Sequence, residues 1–155
     1  MDTDRAVTEL LAGRRPPGLY RWPVAGTADT TAALSRAAGE GVRAFHLDGA
    51  RIAGKDGLLR ACADAFDLPE WFGANWDALE DSLTDLSWAP SRRGYLVVYD
   101  GWERLADADE GSFRTVLDVF AEAVASWRDT ATPMSVLLPA ELDGTPVPAG
   151  LPVLE

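Results

Sequence analysis

YLVVYD, residues 95–100, is a near-continuous run of apolar, β-branched and aromatic side chains closed by an aspartate. It lacks the apolar/polar alternation of a strand with one wet face. A run of this kind marks a strand buried on both sides, as in parallel sheets covered by helices. MSVLLP (134–139) has the same character. Between them, SFRTVLDVFAEAVASW (112–127) places apolar residues at 113, 116, 117, 120, 124 and 127, the spacing of an amphipathic helix. Strand, helix and strand in that order call for parallel pairing through a right-handed crossover.

The pattern extends toward the N-terminus. VRAFHLDG (42–49) alternates and then turns, and LYRWPV (19–24) is a short strand closed by Pro23. Helical spacing covers 2–12, with Val7, Leu10 and Leu11 on one side, and 30–40, with Gly41 just past its end. It covers 55–66 as well, through Leu58, Leu59, Cys62 and Phe66, and then 75–86. Pro69 stops the third of these helices, and GRRPPG (13–18) stops the first. The expected fold is a small two-layer α/β domain with a parallel three- to four-stranded sheet covered by helices. The length suits one hydrophobic core, so residues 1–155 read as a single domain. Within it, 1–43 form an N-terminal extension with a helix and a possible extra edge strand. Residues 139–155 are a Pro/Gly-rich tail, read as turn-rich or partly disordered.

Charge narrows the function classes. The formal net charge is −11. Phosphate neutralisation needs clustered Lys and Arg, so nucleic acid is not an expected partner. An anionic membrane surface would repel the chain, and no apolar run approaches the ~20 residues of a bilayer span. A basic protein would attract it, faster at low salt. The N-terminus has no basic start followed by an apolar stretch, which makes the cytoplasm the default location. The single cysteine, Cys62, allows no internal disulfide. With one Cys and one His (His46), no metal spacing is recognisable, and no metal or other cofactor is expected.

The charge is unevenly spread. LPEWFGANWDALEDSLTDL (68–86) holds five carboxylates and two tryptophans, and between Arg60 and Arg92 there is no basic residue. On a helix at ~100° per residue, Leu79, Leu83 and Leu86 share one face. Asp77, Asp81 and Thr84 share the opposite one, with Glu80 and Asp85 beside them. Asp77/Asp81 and Asp81/Asp85 are like charges at i,i+4, each costing about 0.2–0.5 kcal/mol. No cation at helical spacing offsets them. Trp71 and Phe72, ending in Gly73, supply large aromatics beside this stripe, a combination suited to a binding surface. Catalysis by the paired carboxylates is disfavoured, because exposed Asp side chains have no means of separating their pKa values. No phosphate-binding glycine loop and no GxSxG motif is present, so no catalytic residue is assigned.

These residues resemble the central segment of the barstar family, intracellular inhibitors of barnase-type ribonucleases. The family pattern runs from a strand with an Asx-Gly turn (here FHLDG) to a helix, then an aromatic pair and Gly (Trp71, Phe72, Gly73). A helix of pattern N-x-D-A-L-x-D-x-L-T follows, matched by Asn75, Asp77, Ala78, Leu79, Asp81, Leu83 and Thr84. VLDVFAEA (116–123) resembles the family's last helix and MSVLL its last strand, so the likeness covers roughly 44–138, a barstar-like core. What it implies is a non-catalytic inhibitor whose acidic helix mimics RNA phosphates in the basic active site of a secreted guanyl-preferring ribonuclease or related toxin. A monomer in a 1:1 complex is expected. By matching positions, Asp81 would occupy the phosphate pocket and Asp77 would pair with a basic residue of the enzyme. Trp71 would stack over the site and Thr84 would bond at its edge. Gly73, Asn75 and Trp76 would line the contact, Glu80 would stand on the rim, and Glu122 would add a second acidic point. Glu80 and Leu86 stand where the family's namesake has tryptophans, Trp71 where it has a tyrosine and Ser126 where it has a second acidic residue on the last helix, which alters the rim. The alternative is an immunity or regulatory interaction protein on the same scaffold, with a basic target that is not a ribonuclease.

Overall fold

The computed structural model describes residues 2–24, 27–69, 73–140 and 151–154. In chain order the elements are α1 (Asp2–Leu11), β1 (Leu19–Pro23), α2 (Thr27–Gly39), β2 (Arg43–Asp48) and α3 (Lys55–Ala65). They continue with α4 (Trp76–Asp85), β3 (Tyr95–Asp100), α5 (Glu103–Ala108), α6 (Glu110–Trp127) and β4 (Met134–Ala140). The sheet order is β1-β4-β3-β2, and every neighbouring pair is parallel. All four strands therefore start at one rim of the sheet and end at the other.

The apolar run 95–100 becomes a central strand, buried at its first five positions. Its side chains alternate between two clusters. Tyr95, Val97 and Tyr99 pack with Leu58, Leu79, Leu83 and Phe120 on one face. Leu96 and Val98 pack with Val7, Trp22, Ala37 and Leu137 on the other. The parallel α/β sheet expected from the sequence is thus present with four strands. Helices cover both of its faces, α1 and α2 adding a third layer to the two expected. The N-terminal segment supplies that layer because its apolar residues need a cover and the second face of β3 and β4 offers one. Leu79 and Leu83 of α4 are fully buried, worth about 1.5–3 kcal/mol each. No described helix is long and apolar enough to cross a membrane.

Two features depart from the sequence reading. Between the strand at 95–100 and residue 112 the sequence predicts no helix, yet α5 occupies 103–108 and α6 begins at Glu110. α5 is too short for a periodic signal; it is held by burial of Trp102 and Leu105. The Asp109 carboxylate accepts from the Ser112 amide (3.2 Å) and hydroxyl (2.7 Å), capping α6 earlier than its apolar pattern begins. At the other end, 151–154 return to the sheet. The amide of Arg21 donates to Pro152 O (2.9 Å), that of Leu154 donates to Arg21 O (2.8 Å), and Leu154 is fully buried. This part of the tail therefore lies along the outer edge of β1.

Candidate functional site

The acidic face is built from the start of α4. Asn75 has extended backbone and its side chain accepts from the Ala78 amide at 2.8 Å, the bond that caps the helix. Its side-chain nitrogen donates to Gly73 O at 3.4 Å. Ala74, just before it, has φ of 51°, left-handed geometry that costs a non-glycine residue about 1–2 kcal/mol. Trp71 lies outside the described residues, as do Glu70 and Phe72. Gly73 is exposed.

Along α4 the two faces separate as the spacing predicts. Leu79, Leu83 and the following Leu86 are buried. Asp77 and Asp81 are exposed, and Glu80 and Thr84 are half-buried. Among the described residues, none of Asp77, Glu80, Asp81 and Glu122 has an ion-pair partner. Asp85 accepts from the Ser87 hydroxyl at 3.1 Å. The Thr84 hydroxyl donates back into its own helix, to Glu80 O at 2.9 Å and Asp81 O at 3.2 Å. It keeps acceptor capacity toward solvent, while its donor is engaged.

α6 fixes α4 in place. The Trp127 indole donates to Leu83 O at 2.8 Å, satisfying a carbonyl in the last turn of α4. Its ring packs on Tyr95 with centroids 5.1 Å apart. α4 and α6 pack against each other, so exposed Glu122 is presented on the helix beside the stripe. The structure thus gathers Asp77, Glu80, Asp81 and Thr84 on one helix, with Glu122 on its neighbour. Asn75 is placed as a cap and Trp76 as a half-buried ring packed on the core.

Sequence spacing missed one cation. Lys55 opens α3, and its Nζ lies over the Trp76 ring, 6.0 Å from the centroid. Nothing in the linear sequence connects residue 55 to residue 76; the contact follows from how α3 meets α4. The carboxylates themselves are solvated acceptors, suited to guanidinium and ammonium groups brought by another molecule.

The carboxyl-terminal rim of the sheet holds a separate polar pair. His46 Nε2 lies 2.9 Å from Asp100 Oδ2, linking the edge strand β2 to β3. Among the described residues, no three His, Cys, Asp or Glu side chains converge as a metal site requires.

The fold is shared with solved structures of other proteins. ORC2 of Aeropyrum pernix in its ADP form superposes with a TM-score of 0.58 at 18% identity, over 90% of this chain and 39% of that one. A Walker-type ATPase of Pyrococcus abyssi does so with 0.52 at 13%, over 90% and 45%. Drosophila ORC bound to GC-rich DNA and Cdc6 gives 0.51 at 13%, over 90% and 24%. The chain spans less than half of each of these proteins, and at such identities the likeness is one of fold. It corrects two expectations. The sequence suggested an inhibitor of a barnase-like ribonuclease that performs no catalysis. The same scaffold occurs in ATPases, so neither ribonuclease inhibition nor the absence of catalysis follows from it, and both are withdrawn. No curated protein matches the sequence. Residues 42–139 match the family described as Barstar (barnase inhibitor). That match takes in β2 to β4 and the acidic helix, more than half of the sequence, and the chain belongs to the barstar family.

Proposed function

We propose that the protein is an interaction module whose α4 face docks on a basic surface of a partner protein. Asp77, Glu80, Asp81 and Thr84 would form the centre of the contact, with Glu122 beside them. Gly73, Asn75, Trp76 and Trp71 would form its rim. The carrying observation is the unpaired carboxylate stripe. Helix stability alone favours alternating charge, so a row of three aspartates one turn apart is better explained by cations that a partner supplies. Membership of a family described by its protein target supports the same reading. The single, buried thiol suits a reducing, cytoplasmic location. Basic ribonucleases and related basic toxins are the first partners to titrate, with cytochrome c as a control of similar charge. The expected contact is 1:1 and buries about 1,200–2,000 Å².

The test is calorimetric titration at low salt. Binding to one of these proteins should weaken strongly in Asp81→Ala and little in Asp85→Ala, whose carboxylate faces the helix C-terminus and is bonded to Ser87. Affinity should fall as salt rises. Equal losses in the two variants would overturn the assignment of the face, and binding to cytochrome c alone would reduce it to unspecific charge attraction.

A further inference from the structure

We propose that the amino-terminal rim of the sheet carries a second binding site, a small pocket for an organic oxyanion framed by Arg15 and Arg93. The parallel topology brings the starts of all four strands to this rim. The segments that lead into them carry Arg14 and Arg15 before β1, Arg43 at the start of β2, Arg92 and Arg93 before β3, and Arg128 before β4. A chain with 25 carboxylates against 14 Lys and Arg residues thus collects much of its positive charge at one end.

A cavity of about 220 Å³ opens there. Leu10 and Leu11 of α1 wall one side, and Pro16, Pro17 and Pro133 wall others. Arg15 and Arg93 both line it. Among the described residues Arg93 has no ion-pair partner. Arg15 reaches Glu9 only at 4.0 Å, and Glu9 is held more closely by Arg5 at 3.3 Å. Both guanidinium groups therefore keep donors for a ligand.

The frame is fixed. The Arg93 amide donates to Gly41 O at 3.2 Å. Gly41 has φ of 80°, left-handed geometry that favours glycine, and the Arg93 stem lies against it. Gly94 has φ of 144°, and a Cβ on it would stand 2.6 Å from Pro133 O. A side chain at 94 would push apart the strand starts that form the floor. The Ser91 hydroxyl accepts from the amides of Gly94 and Arg43, each at 3.2 Å, tying the Arg92–Arg93 turn to β2.

Two arginines and apolar side chains in one lining define the ligand class. Guanidinium groups match carboxylates and phosphates bidentately, while proline and leucine walls take an apolar body. The volume is below the ~300–1,000 Å³ of pockets for drug-sized ligands, so the ligand is small. Leu10, Leu11, Arg15, Pro16 and Pro17 precede the residues that match the family, while Arg93 and Pro133 lie among them, so the pocket forms where this chain's N-terminal part meets the family core.

The probes are benzoate and phenyl phosphate, with benzyl alcohol as the uncharged control, titrated into the full chain and followed by amide chemical shifts. At least one anion should bind saturably, with shifts centred on Gly94 and Leu11. Arg93→Gln and Arg15→Gln should each weaken it about tenfold, the effect of one lost charge-assisted hydrogen bond. Arg104→Gln, on α5, should not. Binding of benzoate alone identifies a carboxylate ligand, and binding of phenyl phosphate alone a phosphate monoester. Failure of both anions, equal binding of benzyl alcohol, or unchanged affinity in both variants with unaltered urea midpoints would overturn the proposal.

Discussion

Replacing Asp81 with Asn should stabilise the protein. Asp81 stands one helical turn from Asp77 and one from Asp85, is exposed, and has no ion-pair partner among the described residues. Each like-charge pair at this spacing costs about 0.2–0.5 kcal/mol. Asp and Asn rank together in helix propensity, so the substitution removes charge and little else. The bond from Thr84 to the Asp81 carbonyl involves only backbone at 81 and survives. Two repulsions disappear, a gain of about 0.4–1 kcal/mol at low salt. In a domain of this size that raises the melting temperature by about 1–4 °C. Paired thermal and urea melts of parent and variant measure it, once at low ionic strength and once near 1 M NaCl. At the higher salt the screening length falls to about 3 Å and the gap should close. The same variant should lose partner binding, giving more stability with less function. If it melts at or below the parent temperature at low salt, the stripe places no load on the helix. The argument that it is held for recognition then fails.

Other outcomes follow from the same geometry. Asn75→Ala removes the α4 cap and should cost about 1 kcal/mol, while Asn75→Asp keeps it; identical urea midpoints for the two would count against the cap. Burial pushes the Cys62 thiol pKa up to about 12, so Ellman's reagent at pH 8 should label it only through unfolding, and rapid labelling of native protein would contradict its placement. Hydrogen bonds from the Ser112 hydroxyl and amide hold the Asp109 carboxyl below its ordinary range. The ionised cap therefore stabilises above the unfolded pKa of about 3.9, and that advantage is lost as pH falls through the lower folded value. Asp109→Asn should be less stable than the parent at pH 7 and equal to it in strong acid, and a gap that ignores pH would refute the assignment.

Much of the architecture was legible because it rests on periodicity. YLVVYD reads as a doubly buried strand whatever its neighbours are, since an unbroken apolar run leaves no wet face. The acidic stripe could be resolved likewise, because leucines and aspartates separate by helical angle alone. α5 escaped detection because it spans six residues, too few for a period. The return of 151–154 to β1 escaped because a single bridge leaves no pattern.

By itself, then, the sequence determined the parallel α/β order, the apolar and acidic faces of α4, and the family. Those properties depend on residue spacing along one element. Only the tertiary structure decided which groups meet across elements. It set Lys55 over Trp76, bound Trp127 to the end of α4, and closed the second face of the sheet with α1 and α2. It also gathered arginines from four separate segments onto one rim. The physical reason is that parallel strands bring together the ends of segments far apart in the chain, and no local pattern encodes which side chains will share that space.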